Sequence, residues 1–503
     1  MRRLVSIVTG LALVALAAPA AHAFCGFYVG GAGAEMFNNA TQVVLMRHGT
    51  TTVLSMQNNY QGPPEGFALV VPVPVVIKKD QVKTLPRELF AKVDTLGAPR
   101  LVEYWEQDPC YVEPPYEYER GEVMAVSDSA GEDSGGDDDR ERYHVTIEAK
   151  FSVAEYDIVV LSATDSTGLD GWLRANKYQI PKGAEPLLRP YIEAGTKFFV
   201  AKVDPKKVKF EGGMATLSPL RFHYDSPEFT LPIRLGLANA NGKQDLIVNI
   251  LAPNTRYEVA NYPNTTIPTN ITVKDEVRTR FGEFYAALFD HVLAQAPGAV
   301  VTEYSWDSGS CDPCPGPTLD GNDLATLGAD VLTGAYQDTG YANFTLTRLH
   351  ARYGKEVSQD LVFKAVEGIE GGRGIPDAQG KISMDVTKTG YNNFQGRYLI
   401  LHPWTGAIAC EAPQRGRWGG PPQQQIAAPI AATNTAFAPR GQTELAAFVA
   451  SDVPAIGVMS SGGITLPPPV RKPQGCGCAA EGGASASGAA LIVLVVLRRR
   501  RRR

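Results

Sequence analysis

The sequence predicts an α+β fold of largely antiparallel sheets with several amphipathic helices. Three observations point there. Strand-like stretches cluster without the regular strand–helix alternation of a parallel sheet. No internal repeat of fixed period is present. The 503 residues are 44% hydrophobic and 20% charged, a composition that supports a large core and excludes a fibrous or wholly disordered chain.

The elements follow in order. Residues 41–46 and 50–57 flank Arg47-His48-Gly49 and read as a hairpin. Residues 67–77 read as an edge strand or extended segment, because Pro72 and Pro74 lack a ladder donor. A helix is expected next, with Thr84 as cap, Pro86 in the first turn and Gly97 at the end. Leu85, Leu89, Phe90, Val93 and Leu96 share one of its faces. Residues 143–150 and 157–163 read as strands, and 169–177 and 184–194 as short helices. Strands are expected over 196–203, 220–224, 230–237, 244–251 and 256–260. The clearest helix runs from Asp275, a good N-cap, to Gln295, with Val277, Phe281, Phe284, Tyr285, Leu288 and Val292 on one face. Strands at 300–306 and 344–350 close the block.

Both ends carry address-like patterns. Arg2 and Arg3 precede an apolar run to Ala18, then Pro19 and Ala21-His22-Ala23, so residues 1–23 read as a signal peptide cut by signal peptidase between Ala23 and Phe24. At the other end, 476–503 holds Cys476 and Cys478, a small-residue stretch, LIVLVVL and six arginines. The apolar part, 482–497, would extend ~24 Å, short of the ~30 Å hydrocarbon core. The arginines favour the cytoplasmic side, which puts the rest of the chain across the membrane. Between the ends we expect an exported body over 24–411, open to division into lobes 24–261 and 275–411, and a Pro/Gly/Gln-rich spacer over 412–475. The stretch 442–453 is open to adding a short helix to the body. Residues 117–142 carry ten acids against three bases and read as a disordered acidic loop, with Asp137-Asp138-Asp139 lacking a calcium-loop pattern. The net charge of −5 becomes −13 once the terminal arginines are set aside, which argues against nucleic acid as a partner.

Chemistry-bearing motifs are few. Cys25, Cys110, Cys311, Cys314 and Cys410 lie in the exported body, where two disulfides and one remaining thiol, or a bridge to the tail, are expected. Cys311-Asp-Pro-Cys314 has thioredoxin-like spacing, but Pro315-Gly316-Pro317 follows at once and favours a turn over the helix N-terminus that lowers a thiol pKa. A local structural disulfide is the expectation. His48, His144, His223, His291, His350 and His402 are scattered without H-E-x-x-H, so no metal or cofactor is expected. Nucleophile-elbow and phosphate-loop motifs are absent, and Gly371-Gly372-Arg373-Gly374 precedes Ile375-Pro376 without a strand-to-helix context. The segments 58–64 and 391–396 suit stacking on a glycan or peptide, and suit Asn/Gly turns better.

The tail, with its Cys motif, weak hydrophobic helix and arginine cluster, resembles the MYXO-CTERM sorting signal of myxobacterial surface proteins. That resemblance implies cutting near Cys476 or Cys478 by a dedicated intramembrane protease and transfer to the cell surface. The opening FCGFYVGGAGAEMFNNATQVVLMRHGTTTVLSMQNNYQGPPEGFALVVPVPV and the later GLDGWLRANKYQIP, YIEAGTKFFVAKVD, LTRLHARYGKEVSQDLVFK and GRYLILHPWTGAIAC resemble the bacterial domain of unknown function 2330 family over roughly 24–411. It implies an exported protein and carries no catalytic residue over. The expectation is a disulfide-stabilised protein of the cell surface or outer envelope. It is membrane-anchored at least transiently through its tail and serves binding or envelope structure, with an extracellular ligand left unnamed. The alternatives are a secreted enzyme whose acid/base pairs, such as Asp or Glu with His, meet only in three dimensions, and a thiol–disulfide oxidoreductase using Cys311 and Cys314.

Overall fold

The computed structural model describes residues 27–29, 40–57, 59–61, 68–111, 145–176, 178, 184–211, 214–239, 242–334, 344–421, 429–433, 438, 440, 441 and 443–461. The signal and tail residues Ala23, Phe24, Cys25, Cys476 and Cys478, and the acidic stretch 117–142, lie outside these residues.

Six strands form the middle of an 11-stranded sheet. They are β1 (Ala40–His48), β2 (Thr51–Met56), β3 (Leu220–Asp225), β4 (Gln244–Pro253), β5 (Val300–Asp307) and β6 (Phe344–Tyr353). Their spatial order is β5-β6-β4-β1-β2-β3, antiparallel except where β4 meets β1. β1 and β2 make the expected hairpin, turning at Gly49, whose φ of 56° is left-handed and suits glycine. Side chains alternate across β1. Val43 and Leu45 enter one core with Leu69, Val71 and Phe199 of a second sheet, while Val44 and Met46 enter another with a helix on the far side. β4 is buried along nearly its whole length, as its apolar sequence requires of a strand covered on both faces. Because β4 and β6 are paired, both halves of the body share this sheet. The segment between the two expected lobes is itself buried at Ile267, Thr269, Asn270 and Ile271.

The second sheet orders Phe27–Val29, Ala68–Val73, Lys197–Val203, Tyr156–Ala163 and Val145–Val153. Ala68–Val73 is therefore an interior strand rather than the edge strand or extended segment that its prolines suggested. Pro72 is tolerated because the neighbour at 27–29 pairs only with residues 68–70, so no ladder donor is required of it on that side.

Helix α1 (Arg87–Gly97) lays Leu89, Phe90, Val93 and Leu96 on the central sheet. Its N-cap is Pro86 without a side-chain cap, so Thr84 does not act as predicted. Gly97 is inside the last turn, where a Cβ would stand 3.4 Å from Arg348 Cδ; it serves close packing on β6. α2 (Ser166–Ala175) and α3 (Glu185–Glu193) cover the outer face of the second sheet. α4 (Val277–Gln295) buries the predicted face, but starts behind Glu276, and Asp275 instead pairs with Arg278 at 2.8 Å. α5 (Gly321–Leu327) carries an Asp320/Asp323 capping box. The strand expected over 230–237 shrinks to Thr230–Leu231 followed by a 3-10 turn. Pro232 lacks a donor, and the N–H groups of Ile233 and Arg234 turn to Asp360 Oδ1.

Of residues 412–475, expected as a spacer, the described ones, which extend to 461, pack onto the body. Trp418–Gly419 and Ile430–Ala431 pair with the Arg100–Glu106 strand. Helix α6 (Leu445–Phe448) and Val449, Val453, Ile456 and Val458 bury against α4. A few apolar residues spaced through a polar, proline-rich composition suffice to dock it. Cys110–Cys410 and Cys311–Cys314 are the two disulfides among the described residues. No described helix is long and apolar enough to cross a membrane.

Candidate functional site

Two polar constellations are built into the fold. The first is buried. A bulge between Thr302 and Tyr304 turns Glu303 of β5 into the interior. Arg348 and His350, two apart on β6 and so on one face, both reach it. Arg348 Nε donates to Glu303 Oε2 at 2.7 Å, His350 Nδ1 lies 2.7 Å from Oε1, and the Tyr285 hydroxyl of α4 donates to the same Oε1. Arg348 continues to Asp94 Oδ1 on α1 at 2.6 Å. His350 Nε2 lies 3.0 Å from Asp245 Oδ1 on β4, and Arg352 and Arg440 also donate to Asp245, at 2.6 and 2.9 Å. Burial alone would raise the Glu303 pKa, but the charges of His350 and Arg348 outweigh it and hold it at about 2. Burial alone would lower that of His350, but Glu303 and Asp245 raise it, which suits an imidazolium donating from both nitrogens. Such a pair is the kind an enzyme assembles in three dimensions. Here Glu303 and His350 are fully buried, both ring nitrogens are occupied, and Phe289 stacks on the imidazole at 3.9 Å. The arrangement fastens α1, α4, β4, β5, β6 and Arg440 together, with Glu303 and His350 sealed among the described residues.

The second constellation reaches the surface. Arg100 and Arg397 open two adjacent parallel strands, Arg100–Glu106 and Arg397–His402, and stand opposite each other in register. Both are buried, and among the described residues neither pairs with a carboxylate. Burial lowers both pKa values. Their donors go to neutral oxygens. Arg100 Nη1 reaches the Pro313 carbonyl at 2.9 Å, and Arg397 reaches Asn270 Oδ1, the Tyr104 hydroxyl and the Gly374 carbonyl at 2.9, 3.2 and 2.9 Å. Gln395, buried two residues before Arg397, donates one amide nitrogen to the carbonyls of both Asp312 and Gly372. Asn270 Nδ2 donates to the Arg373 carbonyl at 3.2 Å. A floor of buried donors thus holds two loops, 311–316 and 371–376, by their carbonyl groups. Gly372 is obligatory there: its φ is 68° and a Cβ would lie 2.0 Å from the Gln395 carbonyl oxygen.

Above this floor the loops present Arg373, whose guanidinium lies 5.1 Å over the Trp306 ring, and Ile375, 63% exposed. Tyr391, 52% exposed, donates its hydroxyl to Glu370 Oε2 at 2.8 Å. The Cys311–Cys314 disulfide closes the first loop. α5 begins only at Gly321, so this motif sits in a turn and lacks the helix N-terminus of a reactive dithiol.

The structure brings together Cys110 with Cys410 and Cys311 with Cys314. It splits the 391–396 segment, with Tyr391 outside and Phe394 and Gln395 buried as structural residues. Asn59–Gln61 forms a short strand, and 58 and 62–64 lie outside the described residues. His48 reaches the Thr333 carbonyl at 3.0 Å, His291 the Ile456 carbonyl at 2.7 Å, and His402 Glu103 at 2.6 Å. Desolvation, helped by the nearby Arg221 charge, lowers the His223 pKa. His144 lies outside the described residues. Among the described residues no group of three or more His, Cys, Asp or Glu is placed to hold a metal. Sequence reasoning missed Glu303, Asp245, Arg397 and Gln395; the one available signal was the Gly-Gly-Arg-Gly string.

Fold and site together define a disulfide-stapled α+β protein carrying a loop platform fixed from beneath. A family profile described as an uncharacterized protein conserved in bacteria (DUF2330) matches residues 19–364, more than half of the chain. The chain belongs to that family. The match ends before the 371–376 loop, short of the resemblance read to 411. No curated protein matches the chain, and no solved structure does.

Proposed function

We propose that this is an exported protein, held at the cell surface through its C-terminal tail, that binds or builds the envelope rather than catalyses. In this reading the platform formed by loops 311–316 and 371–376 is its recognition face. One observation carries the reading. Exposed Arg373 and Ile375 stand on a loop whose backbone is tied down by Gln395, Asn270 and Arg397, and exposed Tyr391 is held by its hydroxyl to Glu370 on the strand that leads into that loop, so a partner meets a preorganised surface and little ordering entropy opposes association. The signal-like residues 1–23 and the sorting-like residues 476–503 support export and anchoring.

The test is protease shaving of intact cells that produce either the full chain or a version lacking Leu491 to Arg503. The full chain is expected to be cleaved from outside and the shortened chain to be lost from the surface. Unchanged location of the shortened chain refutes anchoring through the tail. Turnover of a substrate by the purified protein in a broad hydrolase and transferase screen refutes the non-catalytic part.

A further inference from the structure

The carbonyl groups of Gly372, Arg373 and Gly374 all accept from the buried floor, namely from Gln395, from Asn270, and from Arg397 with Tyr104. In a planar trans peptide the N–H points opposite to the carbonyl. Carbonyls fixed inward therefore turn the N–H groups of Arg373, Gly374 and Ile375 outward, and none of the three meets a protein acceptor among the described residues. Gly372 and Gly374 have φ of 68° and 83° with Arg373, which is not at positive φ, between them, the alternation of backbone sign on which anion-binding nests are built. Three outward donors, the exposed Arg373 guanidinium and two buried arginines without carboxylates all favour a negative charge against this loop. Its neighbours are of a different kind. Glu370 and Asp312 repel a densely anionic ligand, whereas Glu370 accepts well from hydroxyl groups. Tyr391 offers a ring whose orientation is preset by its hydrogen bond to Glu370, as a stacking surface should be.

We propose that the Arg373-Gly374-Ile375 backbone, with the Arg373 guanidinium, binds the carboxylate of an acidic polysaccharide whose sugar ring lies on Tyr391. A carboxylate flanked by ring hydroxyls fits this loop beside Glu370, which can accept from those hydroxyls, while an acidic peptide, whose side chains offer carboxylates without hydroxyls or a ring face for Tyr391, does not. The assignment rests on the binding reading above and names the ligand class for that same face.

The experiment uses full-length protein purified from its native envelope and titrates it calorimetrically with oligogalacturonate. The comparison probes are the same oligomer with its carboxyls reduced to alcohols, poly-glutamate and acetate. Oligogalacturonate is expected to bind, and the reduced oligomer to bind at least tenfold more weakly. Arg373→Ala and Ile375→Pro, the latter deleting one outward N–H, are each expected to weaken binding about tenfold or more, and Tyr391→Ala likewise. Arg373→Lys should recover part of the loss. Circular dichroism melts establish that each variant is folded, since Arg373 and Ile375 are exposed. No binding at millimolar oligomer, or unchanged affinity in both Arg373→Ala and Ile375→Pro, overturns the site. Poly-glutamate or acetate binding as tightly as the oligomer overturns the glycan assignment. Shaving the same cells separates the two failures: a surface-exposed protein that ignores the oligomer refutes this site alone, and a protein kept inside the cell refutes the reading beneath it.

Discussion

Replacing Glu303 with glutamine removes a single charge from the middle of the central sheet and keeps the side chain's shape. The carboxylate faces Arg348, His350 and Tyr285 in a region sealed from water, so Arg348 and His350 retain only Asp94 and Asp245 as counter-charges. Breaking a buried pair from one side costs about 3–5 kcal/mol. A pH signature accompanies the loss. The folded-state pKa of Glu303, about 2, lies below its ordinary value of 4.5, so its contribution is complete above pH 4.5 and disappears as pH falls toward 2. At about 1.4 kcal/mol per pH unit that interval corresponds to about 3 kcal/mol. His350 has the opposite sign: its pKa is raised, so its contribution is present in acid and fades as pH rises through the raised value. The assay is urea unfolding of the oxidised protein, followed by tryptophan fluorescence from about pH 2 to pH 9. The variant should lose about 3–5 kcal/mol near neutrality with an unchanged slope in urea, show an acid limb between pH 4.5 and 2 that is smaller by the Glu303 share while the share of Glu103, Glu106 and Asp330 remains, and shed the His350 contribution at lower pH than the wild type. A loss under about 1 kcal/mol, or a wild-type acid limb in the variant, would refute the argument that this network holds the layers together.

The two disulfides should separate by loop size. Cys110 and Cys410 are 300 residues apart and Cys311 and Cys314 only 3, so loop-closure entropy makes the double serine replacement at the first pair roughly 3–4 kcal/mol more destabilising than at the second. Denaturant midpoints of the two double variants check this; equal losses would exclude the entropic account. Gly372→Ala should cost more than about 2 kcal/mol, because left-handed backbone and a clash with the Gln395 carbonyl act together. Gly374→Ala, where the new Cβ meets only Ile382 Cδ1 at an ordinary 4.0 Å, should cost about 1 kcal/mol, and thermal melts of the pair rank them.

Local pattern made much of the fold legible. The β1–β2 hairpin, the apolar face of α4 and the short-range Cys311–Cys314 bridge all depend on residues near one another in the chain. Pro72 misled because its fitness in a strand is decided by how short the neighbouring strand is, which no local window contains. The buried network was hidden by distance: Asp245, Glu303 and His350 come from three strands, and Arg440 sits in a stretch whose composition reads as a spacer. The platform was half visible. The Gly-Gly-Arg-Gly string announced unusual backbone, but the direction its N–H groups face is set by Asn270, Gln395 and Arg397, far from it or beyond it in sequence.

In the exported protein proposed above, the Cys110–Cys410 bridge has a consequence for survival among peptidases. The acidic stretch 117–142 falls inside the loop that this bridge closes. A cut anywhere in it yields two fragments that remain covalently joined, with β1 and β2 of one still hydrogen-bonded to β3 and β4 of the other. A cut in this acidic stretch thus releases nothing, and a nicked molecule keeps its body and its platform.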